Sequence, residues 1–122
     1  MQLTINQQVS DDAVVVRISG EVDMSTAEEF NSSLMTALNV ASAHPARLLI
    51  ADLDGVGYFG STGLNAVLAC HHHGLTTATA VRLVATTPMV GRLMEVTKLD
   101  TVLALYPSIA EALQAHDPDM QR

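Results

Sequence analysis

Tryptophan is missing from the 122 residues, and there are only two phenylalanines, two tyrosines and one cysteine. Each shortage closes a class of function. So few rings provide no aromatic platform for stacking bases, and the core has to be built from Val, Leu, Ala, Ile and Met. The single cysteine, Cys70, has no partner for an internal disulfide, which agrees with a reducing compartment. Basic residues are also scarce: six Lys and Arg stand against thirteen Asp and Glu, for a net charge of −7. Nucleic acids need a basic face, so they are not expected as partners, and an anionic membrane surface is disfavoured for the same reason. No apolar run approaches the roughly 20 residues of a membrane-crossing helix. The opening Met1-Gln2-Leu3-Thr4-Ile5-Asn6 lacks the basic and apolar regions of a secretory signal, so a cytoplasmic protein is expected.

What is present reads as one domain of residues 3–115 followed by a flexible tail, 116–122, which contains Pro118 and no core residues. Leu3, Ile5 and Val9 alternate with polar residues as in a strand with one wet face. Ser10-Asp11-Asp12 is a turn, Ala13 to Ser19 is a second strand, and Gly20 is expected to close it. Thr26 with Glu29, or Ser25 with Glu28, offers a capping box for a helix whose stripe is Ala27, Phe30, Leu34, Ala37, Leu38 and Ala41. His44-Pro45 ends it. Leu48 to Leu53 is then a strand covered on both faces. A helix follows from Ser61, with Leu64, Val67, Leu68 and His71 on its stripe and Gly74 placed to end it. Thr79 to Ala85 is the next strand. Thr87-Pro88 opens a helix with Val90, Leu93 and Met94 inward, Val102 to Leu105 is a short strand, and Ser108 with Glu111 boxes a last helix to about Ala115. Strands separated by helices imply parallel crossovers, and the hairpin-like start makes the sheet mixed. The fold class is therefore α/β, with a mixed, mostly parallel sheet of four to five strands and about four helices packed on it.

Three chemical readings fail on spacing. Gly55-Val56-Gly57-Tyr58-Phe59-Gly60 satisfies G-x-G-x-x-G between a strand and a helix, yet no Asp or Glu occurs between Asp54 and Glu95 to hold a ribose. His71-His72-His73 are consecutive on a helix, about 100° apart around its axis, and cannot converge on one metal. Gly60-Ser61-Thr62-Gly63 lacks the spacing of a nucleophile elbow. An enzyme is not expected, nor is any cofactor or metal. Cys70 is read as a small core residue.

Ser61 remains as the residue of interest. As a plain structural element it is a helix N-cap. At a helix start, however, free N–H groups and the positive end of the dipole favour negative charge, so a phosphate on Ser61 would be tolerated by the fold while changing its surface.

The stretch Asp52-Leu53-Asp54-Gly55-Val56 through Phe59-Gly60-Ser61-Thr62-Gly63-Leu64 resembles the STAS domain of anti-sigma factor antagonists. So do Gly20-Glu21-Val22-Asp23 upstream and Tyr106-Pro107-Ser108-Ile109-Ala110-Glu111-Ala112-Leu113 at the end. The resemblance spans about Leu3 to Ala115 and implies a STAS-type single domain. It further implies that the first hydroxyl of a D-S-[ST]-G motif is phosphorylated by a serine kinase that is itself the anti-sigma factor, and that a serine phosphatase removes the phosphate. Unmodified protein would bind the kinase and free a sigma factor; modified protein would let go. Ser61 falls on the acceptor hydroxyl, Thr62 is the second choice, and Gly63 falls on the glycine. Partner contacts are expected from Glu21, Asp23, Asp54, Gly60, Ser61, Thr62, Gly63 and Asn65. Gly60 departs from the motif, standing where the acidic residue usually precedes the serine. That departure supports an alternative: a non-phosphorylated STAS interaction module of a transporter or sensory assembly. Monomer and weak dimer are both compatible with the sequence.

Overall fold

The computed structural model of the protein describes residues 3–115, so the tail from 116 lies outside the described residues. In chain order the elements are β1 (Leu3–Val9), β2 (Val14–Val22), α1 (Ala27–Ser42), β3 (Leu48–Phe59), α2 (Ser61–Thr76), β4 (Ala80–Val84), α3 (Pro88–Val96), a 3-10 turn (Leu99–Thr101), β5 (Leu105–Tyr106) and α4 (Ile109–Gln114). The five strands form one sheet in the order β1-β2-β3-β4-β5. β1 runs antiparallel to β2, and the other neighbours are parallel. The architecture is thus the mixed, mostly parallel α/β sheet with four helices expected from the sequence.

Strand alternation sorts the core into two layers. Val14, Val16, Leu49, Ala51, Val81 and Leu83 face α1, α2 and α3, where they meet Phe30, Leu34, Leu64, Val67, Val90 and Met94. On the opposite face Val15, Ile50 and Val84 meet Ala112 of α4. Arg82 points to that same side, and its Nη1 donates to the Ala112 carbonyl at 2.8 Å, tying the short α4 to the sheet. The two phenylalanines, Phe30 of α1 and Phe59 of β3, meet edge to face at 6.0 Å.

The structure corrects several boundaries. β3 does not stop at Leu53 but continues through both glycines to Phe59, and β2 runs past Gly20 to Val22. Gly20 takes φ 108°, which only glycine adopts without strain, and the register shifts there, so it marks a bulge rather than a strand end. Gly55 is needed for close approach: a Cβ on it would lie 2.8 Å from the Ser19 Cβ. Gly74 lies inside α2, not at its end, because a Cβ there would meet the Thr79 carbonyl oxygen at 2.5 Å. The expected strand from Val102 shrinks to Leu105–Tyr106, with Val102 exposed. Among the described residues no helix is long and apolar enough to cross a membrane.

Candidate functional site

The site forms where parallel β2 and β3 end side by side, Glu21 opposite Tyr58 and Val22 opposite Phe59. Gly60 N–H donates to the Val22 carbonyl at 3.1 Å, which fixes the start of α2 beside the loop leaving β2. That loop is held from within. Thr26, only 6% exposed, donates its hydroxyl to the Glu21 carbonyl at 2.7 Å and accepts from Asp23 N–H at 3.0 Å. Its hydroxyl is therefore not a helix cap, and neither expected capping box forms at α1. Asp23 Oδ1 accepts from the Ser25 hydroxyl at 2.7 Å and from Ser25 N–H at 2.9 Å. Chiefly the Ser25 hydroxyl, opposed next by desolvation and helped by the Ser25 and Thr26 N–H groups, holds the Asp23 carboxyl below its usual value.

Opposite this loop α2 begins at Ser61, with Gly60 as its N-cap. The Gly60 carbonyl accepts from Gly63 N–H at 3.1 Å and Leu64 N–H at 3.2 Å. Ser61 is exposed, and its hydroxyl makes no hydrogen bond to any described residue. The N-cap role open to it in the sequence thus passes to Gly60. Asp23, Met24, Ser25, Tyr58, Gly60, Ser61 and Thr62 line a groove of about 510 Å³. Met24 (86% exposed) and Tyr58 (50%) are its apolar walls. On the other side of Tyr58 a second groove, of about 540 Å³, runs between the end of β3 and α3 and is lined by Met89, Arg92, Leu93 and Val96 among others.

The remaining sequence candidates distribute as follows. Asn65 is exposed one turn after Ser61, on the same side of α2, and Thr62 is half-buried. Glu21 is half-buried on β2. Gly63 is buried: a Cβ there would lie 2.7 Å from Val22 Cγ1 and 2.8 Å from Phe59 Cε1, so its absence lets the first turn of α2 rest on the sheet. Asp54 stands outside the groove, where its Oδ1 accepts from Thr86 N–H at 2.6 Å and from the Thr86 hydroxyl at 3.0 Å, clamping the loop before α3. His71 is half-buried while His72 and His73 are exposed at the far end of α2, and among the described residues no cluster of metal-ligating side chains forms. Cys70 is in the core; its thiol is 4.0 Å from the Leu34 carbonyl, and burial pushes its pKa up to about 12. Sequence reasoning missed Met24, Ser25 and Tyr58. Continuing the alternation of β3 to an inward Phe59 would have turned Tyr58 outward and revealed it.

A family model for the STAS domain matches residues 4–112. Among solved structures, an anti-sigma factor antagonist from Mycobacterium paratuberculosis is 29% identical, covering 93% of this chain and 92% of its own, with a TM-score of 0.82. A putative anti-sigma factor antagonist from Thermotoga maritima is 21% identical, with coverage of 90% and 92% and a TM-score of 0.79. The Bacillus cell fate determinant SpoIIAA in its phosphorylated form is 19% identical, with coverage of 91% and 97% and a TM-score of 0.65.

Proposed function

The chain belongs to the STAS domain family, and from that premise we propose that it is an anti-sigma factor antagonist working by phosphorylation-controlled partner switching. Ser61 is the acceptor and Thr62 the second choice. The unmodified form binds an anti-sigma factor serine kinase in the cytoplasm and so releases a sigma factor; a serine phosphatase resets it. In this reading the chain is a substrate of partner enzymes and not itself an enzyme.

One observation supports the reading above the others: an exposed serine hydroxyl, engaged by no described residue, starts a helix and opens into a groove with apolar walls. In the modifying step the γ-phosphoryl group of ATP passes to Ser61 Oγ, the bond to ADP breaks, and the hydroxyl proton leaves to a base of the kinase. The partner surface comprises Glu21, Asp23, Gly60, Ser61, Thr62 and Asn65 around the Met24 and Tyr58 walls. Gly63 acts from beneath by seating the helix, and Asp54 by holding the loop before α3. A phosphoserine adds about −1.5 to −2 charges at pH 7. Trapped in an interface without a cation, such a charge costs on the order of 2 to 5 kcal/mol, or about thirtyfold or more in affinity.

The test is to incubate the protein with anti-sigma serine kinases of the same genome and ATP, then map the modified residue by mass spectrometry. Phosphate on Ser61 supports the reading; phosphate elsewhere, or none with any of them, overturns it. Gly60 favours a second reading, an unmodified STAS interaction module of a transporter or sensory assembly. Stable co-purification with a membrane transporter, rather than a soluble kinase, would select it.

A further inference from the structure

Gly60 has φ −98° and ψ −173°, extended backbone open to any residue, so no conformational demand calls for glycine there. Space is the constraint instead. A Cβ on Gly60 would lie 3.1 Å from Tyr58 Oη, 3.2 Å from Cε2 and 3.5 Å from Cζ. The ring of Tyr58 is thus folded back over the residue that precedes Ser61, occupying the space into which a side chain at position 60 would project. Its hydroxyl makes no hydrogen bond to any described residue, and Tyr58 lines the same groove as Ser61.

We infer that the phenol of Tyr58 is the side chain that receives a phosphate carried by Ser61, a positioning residue for the modified state; this rests on Ser61 being the acceptor. The groove contains no Lys or Arg among its lining residues, and Arg92 lies in the neighbouring groove beyond Tyr58. A phosphate here therefore depends on neutral donors: the first N–H groups of α2, the Thr62 hydroxyl and the Tyr58 hydroxyl. Asp23 faces it from the β2–α1 loop, and Glu21 lies nearby on β2, its Oε2 3.5 Å from where a Cβ of Gly57 would be. A carboxylate at position 60 would add to this negative charge. Tyr58 instead presents an O–H that donates to the phosphate dianion, a charge-assisted hydrogen bond stronger than one between neutral groups.

The experiment uses the full chain with phosphoserine incorporated at position 61 during translation, so no kinase is required. Phosphorus NMR follows the second ionisation of the phosphate in the parent and in Tyr58→Phe, which keeps the half-exposed ring and loses only its hydroxyl. Loss of a donor to the dianion raises that midpoint by roughly half a unit or more. In the parent, the Cζ carbon resonance of Tyr58 moves with the same midpoint. A Tyr58→Phe protein that titrates within about 0.1 unit of the parent, or a Tyr58 resonance that stays flat, overturns the assignment. A kinase that ignores Ser61 would sink the acceptor reading and leave these two measurements untouched, so the two failures are distinguishable.

Discussion

The Thr26 hydroxyl donates to the Glu21 carbonyl at 2.7 Å while accepting from Asp23 N–H at 3.0 Å, so the residue that precedes α1 is tied back to the strand rather than forward to its helix. The Thr26 side chain thus ties the loop carrying Asp23 and Met24 to β2, alongside the bonds from Ser25 to the Asp23 carboxylate. Thr26→Val keeps the shape and removes both bonds, leaving polar backbone groups unpaired in a nearly closed environment. The expected loss is about 1 to 3 kcal/mol in urea unfolding. Thr26→Ser should recover most of it, and a Val variant as stable as the parent would show that the bonds contribute nothing.

Gly63 is constrained by its neighbours rather than by its own backbone. With Val22 Cγ1 and Phe59 Cε1 at 2.7 and 2.8 Å from a Cβ, Gly63→Ala has to displace these two buried side chains or lift α2. Overpacking of this kind costs on the order of 1 to 3 kcal/mol. A thermal melt should show the drop, accompanied by weaker partner binding as Ser61 moves with the helix. An unchanged melting temperature would mean that the first turn of α2 is not seated as described.

Cys70 gives the fold a pH dependence on the alkaline side. Burial pushes its pKa from 9.0 to about 12, so the folded state holds the thiol proton more tightly than the unfolded chain does. Its contribution to stability is therefore complete below pH 9 and declines as the pH rises toward 12. In the native protein the thiol should resist a disulfide reagent at pH 8 and react fully in denaturant. Rapid native labelling would place the side chain at the surface instead of against Leu34.

The sequence made the element order legible because hydrophobic period and capping chemistry are local signals: the α1 stripe from Phe30 to Ala41, Pro88 opening α3, and Ser108 accepting from Glu111 N–H at 3.1 Å all follow from neighbouring residues. The errors cluster at glycines. Gly55 and Gly74 read as loop or helix end, yet they sit inside elements: Ser19, distant in sequence, packs against Gly55, and the chain folds back after α2 so that the Thr79 carbonyl lies against Gly74. Ser61 and Asp23 could be named as candidates from a resemblance. Their meeting in one groove with Tyr58 depends on the parallel pairing of Glu21 with Tyr58, a long-range register that no local pattern specifies.

The most direct test of the account compares the affinity of an anti-sigma serine kinase for the protein with Ser61 unmodified and with phosphoserine at that position. Tight binding of the first and a loss of about thirtyfold or more for the second is the predicted result. Equal affinity for both forms would contradict the switch.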